Sequence, residues 1–152
     1  MHDICIIGTI PPCPRCGLLK KMVEELIVEE NITANVRHIT YTDQEAIDFS
    51  KKYDLFPGTA KDVARILNQP IDLAELNQVK EDTNHIENIP YAAYNTFGWT
   101  YALDLYLRPY ENNAKNAGIL MTPILIIDGD LKHSGSVPTI EEIKNWLNQL
   151  HS

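Results

Sequence analysis

Two cysteines separated by two residues, Cys13 and Cys16, are the residues whose type and spacing most directly indicate chemistry in this chain. A two-residue gap brings the second thiol close enough to attack a mixed disulfide formed on the first, which is thiol–disulfide exchange in two steps. The thiolate is the reactive form of cysteine, so the first position needs a lowered pKa. The spacing predicts that Cys13 is the nucleophile and that Cys16 is the resolving cysteine.

The local sequence predicts how this pair is positioned. Residues 3–8 are a β-branched apolar run, which is typical of a strand buried on both faces. Apolar pairs then recur every four residues from Leu18/Leu19 to Leu26/Ile27 and predict an amphipathic helix. The cysteines therefore fall at the first helical turn, where unpaired backbone N–H groups and the positive end of the helix dipole stabilise a thiolate.

Three further residues complete the predicted active-site loop, namely Pro12, Pro14 and Arg15. Pro14 donates no backbone hydrogen bond and has the fixed φ suited to a first helical turn. Arg15 places a cation two residues from Cys13. Both features favour a reactive thiol at this loop.

The remaining metal-ligating residue types give a competing interpretation. Cys-x-x-Cys is also half of many zinc centres, but the chain has no second such pair and no His-x-x-x-His. Cys5 lies within the apolar run of the first strand and is interpreted as an inert, buried residue. None of the five histidines has a sequence neighbour that suggests catalysis, so no role is assigned to them.

The two ends of the chain predict one α/β arrangement. Residues 35–41 read as a second strand, which gives β-α-β at the start. Near the other end, residues 124–128 form a buried-strand run, Asp128-Gly129-Asp130 predicts a hairpin turn, and Thr139 to Glu142 has the spacing of a helix capping box. The chain therefore ends β-β-α.

These features together resemble the thioredoxin and glutaredoxin superfamily: β-α-β, Cys13-Pro14-Arg15-Cys16 at the first helix, and Thr122-Pro123 before the hairpin. The resemblance covers residues 3–41 and 119–150. It implies a thioredoxin-like fold, dithiol–disulfide oxidoreductase activity, and a cis Pro123 that faces the cysteines. Thr122 and Pro123 would then position the substrate, with the Thr122 backbone exposed to pair with it. The motif differs from those common in thioredoxins and glutaredoxins, so the reductant and redox direction stay open.

Residues 42–118 are interpreted as an α-helical insertion before the third strand, within a single domain that spans residues 1–152. Its position resembles the helical insertion of DsbA-like oxidoreductases. Several short helices are predicted, the first of them from the capping-box spacing of Thr42 to Glu45 and another after Asp72.

Seven of the twelve aromatic residues lie between positions 91 and 110. Trp99 and Tyr106 share a helical face with Leu103 and Leu107 and are predicted to be structural. Tyr91 and Tyr94 precede that stripe, and they are the predicted lining of a partner groove.

Composition excludes several functional classes. The chain has 152 residues, of which 44% are hydrophobic and 22% charged, as in ordinary globular domains. Its formal net charge of −8 disfavours nonspecific binding to nucleic acid or to anionic membranes. The apolar runs are too short to span a bilayer, and no secretory signal pattern is found, so a cytoplasmic protein is expected.

The sequence therefore predicts a thiol–disulfide oxidoreductase that needs no bound cofactor or metal. Its expected partners are a protein or small-molecule disulfide substrate, and a reductase or glutathione as electron source. Two alternatives stay open. The first is a glutathione-linked transferase or isomerase of the same fold, which would tolerate loss of Cys16. The second is a non-enzymatic metal-binding or adaptor protein in which the cysteine pair holds an ion.

Overall fold

A computed structural model describes residues 1–81 and 101–150 of the chain. Within these residues the elements follow in the order β1 (His2–Gly8), α1 (Pro14–Glu29), β2 (Ala34–Thr40), α2 (Gln44–Lys51), β3 (Phe56–Gly58), α3 (Ala60–Leu67), α4 (Leu73–Glu81), α5 (Tyr101–Asn113), β4 (Ile119–Met121), β5 (Ile124–Ile127), β6 (Asp130–Ser134) and α6 (Ile140–Asn148).

A four-stranded mixed sheet with the strand order β2-β1-β5-β6 forms the centre of the fold. Strand β1 pairs in parallel with β2, with Ile6 opposite His38 and Gly8 opposite Thr40. It pairs antiparallel with β5, which continues through a tight turn into β6. The apolar run of β1 is therefore central, as its lack of polar alternation predicts.

Helices cover both faces of this sheet, and each face has its own apolar cluster. The larger cluster joins β1 and β5 to α1, α3, α4, α5 and α6, and includes Ile4, Ile6 and Leu125. The smaller cluster lies on the opposite face against α2, and includes Cys5, Ile7 and Phe49. Because side chains alternate along a strand, Gly8 shares the face of Ile4 and Ile6, whereas Cys5 points to the other side.

The segment 42–118 holds a short strand in addition to its helices. Strand β3 pairs in parallel with β4 and forms a second, two-stranded sheet. The sequence predicts only helices here, because a three-residue strand made of Phe56-Pro57-Gly58 carries the residues of a turn. This small sheet ends directly before Thr122.

Helix starts follow local capping chemistry, with one shift from the predicted position. Thr139 caps α6 through the predicted box with Glu142. Asp72 accepts hydrogen bonds from the backbone N–H groups of Ala74 and Glu75. The prediction of a Thr42 cap is wrong by one residue, because the Asp43 carboxylate instead accepts the hydrogen bond from the Glu45 N–H.

Candidate active site

Cys13 is the residue that caps the N-terminus of α1. Its backbone is extended, and Pro14 occupies the first helical turn, as predicted. The Cys16 backbone N–H donates to the Cys13 Sγ at 3.4 Å. The backbone N–H of Cys13 donates to Thr9 Oγ1 at 2.9 Å, which fixes the loop that leads into the helix. A thiolate at Cys13 therefore faces the positive end of the helix.

The two thiols of the motif lie 3.0 Å apart, and their environments differ. Cys13 is partly exposed, whereas Cys16 is fully buried. A hydrogen bond from the Cys16 thiol to an ionised Cys13 lowers the pKa of Cys13 to about 6, with support from the backbone N–H of Cys16 and the charge of Arg15. The same hydrogen bond, together with burial, raises the pKa of Cys16. At neutral pH the pair is one thiolate beside one thiol.

Arg15 lies between the two cysteines in sequence but points into the protein. Its exposed fraction is 5%, and its Nε donates to Asp104 Oδ1 of α5 at 2.7 Å. A terminal nitrogen of the guanidinium donates to the Gly135 carbonyl. The second oxygen of Asp104 accepts the Val137 backbone N–H at 2.9 Å. The carboxylate thus joins the first turn of α1 to α5 and to the loop that follows β6.

Asp104 is a residue that the sequence reasoning missed. It is only 2% exposed, and a buried carboxylate needs a charged partner because desolvation penalises its ionised form. The local signal was a single acidic residue between Leu103 and Leu105 in an apolar stripe. That signal does not identify Arg15 as the partner, since the two residues are 89 positions apart.

Gly8 is a second missed residue, and it lies against the resolving thiol. A Cβ atom added to Gly8 would overlap the Cys16 Sγ and would lie 2.9 Å from the Cys16 Cβ. The absence of a side chain at the end of β1 therefore provides the space for the first turn of α1.

The Thr122-Pro123 peptide bond is cis, which confirms that prediction. Both residues are buried, and Thr122 lines the same pocket as Cys13. The Thr122 backbone N–H donates to the Gly58 carbonyl at 2.8 Å. The expectation that the Thr122 backbone is exposed to pair with a substrate is therefore wrong for its N–H group, which the small β3-β4 sheet occupies.

A pocket of about 240 Å³ opens beside Cys13. Its polar lining comes from Thr9, Thr59, Lys61 and Thr122 as well as the cysteine loop. Its apolar lining comes from α3, α4, α5 and the loop before α4, through Ala60, Ile71, Leu76, Leu103 and Leu107. The segment between β2 and β4 thus builds one wall of the site.

The predicted groove residues Tyr91 and Tyr94 lie outside the described residues, as does Trp99. Tyr106 packs against the larger apolar cluster, as expected of a structural residue. Its hydroxyl lies 3.5 Å from the Asp72 carbonyl. Tyr106 therefore helps to attach α4 to α5.

In residues 1–81 and 101–150, no three His, Cys, Asp or Glu side chains group as metal ligands would. The helices in this part of the chain are each too short or too polar to cross a membrane.

A comparison with known protein families gives a match to part of the chain. The family model described as a thioredoxin domain matches residues 98–148, which is about a third of the chain and includes Thr122-Pro123 but not the cysteine pair. No curated protein matches the chain. The match supports membership of the thioredoxin-like superfamily and, in general terms, a thiol–disulfide oxidoreductase type of function. With the mixed sheet and its flanking helices, it confirms the predicted α/β thioredoxin-like fold.

Proposed function

We propose that this chain catalyses thiol–disulfide exchange, with Cys13 as the nucleophile and Cys16 as the resolving cysteine. The observation that carries the proposal is the pair of sulfur atoms 3.0 Å apart at the start of α1. One thiol is accessible and has a lowered pKa, and the other is buried and has a raised pKa. This asymmetry is what a two-step exchange requires.

In the first step the Cys13 thiolate attacks one sulfur of a substrate disulfide. A bond forms between Cys13 Sγ and that sulfur, the substrate S–S bond breaks, and the departing thiolate takes the electron pair and then a proton. Cys13 is suited to this step because the Cys16 thiol and the backbone N–H of Cys16 both stabilise its ionised form. The positive charge of Arg15 also favours the thiolate, and the hydrogen bond to Asp104 fixes the position of the guanidinium.

In the second step Cys16 loses its proton and attacks the Cys13 sulfur. The Cys13–Cys16 disulfide forms, the mixed disulfide breaks, and the second substrate thiol is released. The substrate has then been reduced and the protein oxidised. The same steps in reverse transfer a disulfide to a substrate dithiol.

The pocket beside Cys13 supports a disulfide substrate with an apolar group next to its sulfur, from a protein or a small molecule. Apolar side chains such as Leu103 and Leu107 supply contact area, and the hydroxyls of Thr9, Thr59 and Thr122 supply polar contacts. We propose Pro12, Pro14 and Arg15 as the active-site loop and Thr122 with Pro123 as the substrate-positioning segment. A reductase or glutathione would return the protein to its dithiol form.

Trapping of the mixed disulfide tests the proposal. A Cys16→Ser variant should accumulate a stable adduct on Cys13 when incubated with a chromogenic aromatic disulfide, because the resolving thiol is absent. Intact-protein mass spectrometry should show one added aromatic thiol, and turnover of a disulfide substrate should be lost. Cys5→Ser is the matched control and should retain turnover.

Two outcomes would contradict the mechanism. Full turnover by Cys16→Ser would exclude a two-cysteine mechanism and favour the glutathione-linked alternative. An adduct on Cys16 in preference to Cys13 in the wild-type protein would reverse the two roles.

A further inference from the structure

The sulfur of Cys16 lies where a side chain on Gly8 would otherwise be. A Cβ atom at Gly8 would overlap the Cys16 Sγ and would lie 3.1 Å from Nε2 of His38. The Cys16 sulfur and the His38 Nε2 therefore both lie close to the position of that Cβ atom. Their separation cannot exceed the sum of their distances from it. Such a separation places the imidazole nitrogen beside the thiol, and no hydrogen bond joins the two groups while the Cys16 thiol is paired with Cys13.

His38 reaches this point from β2, where it lies opposite Ile6 of β1. Its Nε2 is buried and has no hydrogen-bond partner in the described part of the chain. Two other buried side-chain atoms in those residues lack a partner, Arg108 Nε and Glu111 Oε1, but they lie 3.7 Å from each other. A buried nitrogen without a partner loses its hydrogen bond to water without compensation, which destabilises the folded state. An unpaired nitrogen beside a thiol therefore suggests a functional role.

The charges around His38 favour its neutral form. Burial lowers the pKa of His38, and the positive charge of Lys20 on α1 lowers it further. Its neighbours on β1, Ile6 and Gly8, carry no charge. A neutral imidazole protonated at Nδ1 presents an unshared electron pair at Nε2.

We propose that His38 is the proton acceptor for Cys16 in the second step of the exchange. The inference rests on the proposed function and names a residue that acts within it. When Cys13 is held in a mixed disulfide, it no longer accepts the hydrogen bond of the Cys16 thiol. The Cys16 thiol is then released to turn toward His38 Nε2 and to transfer its proton to that nitrogen.

The step balances as follows. The S–H bond of Cys16 breaks and an N–H bond forms on His38, which becomes positively charged. The Cys16 thiolate attacks Cys13 Sγ, the protein disulfide forms, and the substrate thiolate leaves with the electron pair of the broken S–S bond. His38 then returns its proton to the leaving thiolate or to solvent, so no external oxidant or reductant is needed.

Stopped-flow kinetics with a chromogenic aromatic disulfide separates the two steps, because each releases one coloured thiolate. In His38→Gln the first release should keep its rate, and the second should slow by about a hundredfold, as expected when a positioned proton acceptor is removed. The matched control is His133→Gln. His133 is also a partly buried histidine, but its Nε2 is bonded to Ser136 Oγ at 2.7 Å, so both releases should be unchanged.

The pH profile provides a test that needs no variant. In the wild-type protein the second release should reach a plateau above the pKa of His38 and fall below it, whereas in His38→Gln it should rise with pH throughout the range. An unchanged second release in His38→Gln, or a wild-type rate that rises tenfold per pH unit without a plateau, would overturn the inference. Absence of any second release from the wild-type protein would instead overturn the proposed function.

Discussion

The two faces of the sheet carry similar residues in different environments. On one face the buried Cys16 lies beside Cys13, and Arg15 is paired with Asp104 in the interior. On the other face Cys5 is buried at 2% exposure, and the pocket beside it holds Arg37. Arg37 is bonded to Asp3 at 2.9 Å and to Glu45 at 2.8 Å, but its side chain is 34% exposed.

This comparison shows that position, more than residue type, decides reactivity. Burial raises the pKa of Cys5 to about 11, although Arg37 partly offsets the shift. Cys13, by contrast, has a helix N-terminus and a neighbouring thiol that both stabilise its thiolate. A cysteine inside a strand has no free backbone N–H groups nearby to stabilise a thiolate, because the hydrogen bonds of the sheet use them.

The largest expected difference between the faces is in stability. Asp104→Ala should cost about 3–5 kcal/mol of unfolding free energy, because it leaves the Arg15 charge buried without the carboxylate that neutralises it. Asp3→Ala on the opposite face should cost only about 0–1 kcal/mol, because Arg37 is part-exposed and keeps Glu45. Urea unfolding of the reduced proteins measures both. Equal losses would show that the two ion pairs are equivalent and that burial does not separate them.

The next difference is in thiol reactivity. At pH 7 Cys13 should react with iodoacetamide at least about a hundred times faster than Cys5, because Cys13 is mostly thiolate and Cys5 is almost entirely protonated and inaccessible. Peptide mapping after timed alkylation of the reduced protein gives the two rates. Comparable alkylation rates for Cys13 and Cys5 in the folded protein would contradict this prediction. The denatured protein is the control, because the two rates should converge there.

A smaller effect is expected in the pH dependence of stability. The folded protein lowers the pKa of Cys13 from an ordinary value of 9.0 to about 6, so the thiolate favours the folded state. This contribution is fully present above pH 9 and is lost as the pH falls through about 6. We expect it to be on the order of 1–2 kcal/mol, since the sulfur is partly exposed to solvent.

The measurement is the unfolding free energy of the reduced protein between pH 5 and pH 9, compared with that of Cys13→Ser. The difference between the two proteins should grow in favour of the wild type as the pH rises. A constant difference would mean that the Cys13 pKa is not lowered by folding.

The smallest effect is expected for Cys5→Ala. Turnover of a disulfide substrate should be unchanged, and the loss of stability should be about 1 kcal/mol, as for a typical small change in a core. Turnover and melting temperature of this variant, measured beside those of Cys13→Ala, provide the test. If Cys5→Ala lost more turnover than the decrease in its folded fraction explains, the face of the sheet that carries Cys5 would contribute to the reaction.

Local patterns in the sequence predict much of this fold but not the supports of its site. Strand β1, helix α1 and the hairpin from β5 to β6 follow from apolar periodicity and turn residues that lie close together in sequence. The placement of the cysteines at a helix N-terminus follows from the same local signals. A cis Pro123 follows from the resemblance to a known superfamily.

The missing parts depend on contacts between distant residues. Asp104 meets Arg15 across 89 positions, and the pairing of β3 with β4 joins two three-residue segments that carry little pattern of their own. His38 appeared as one of five histidines without a catalytic neighbour, because its approach to Cys16 depends on Gly8 in an adjacent strand. Contacts between residues so far apart in sequence are set by tertiary packing, and the hydrophobic periodicity of the sequence does not predict them.

The bonds of Asp104 also set an order of events during synthesis of the chain. Arg15 is made before its partners, which are Asp104 and the Gly135 carbonyl, and Asp104 itself accepts a hydrogen bond from the Val137 N–H. A nascent chain that ends before residue 137 therefore carries both cysteines without the contacts that seat the loop between them. On the ribosome, the first turn of α1 acquires its final environment only after residue 137 has emerged.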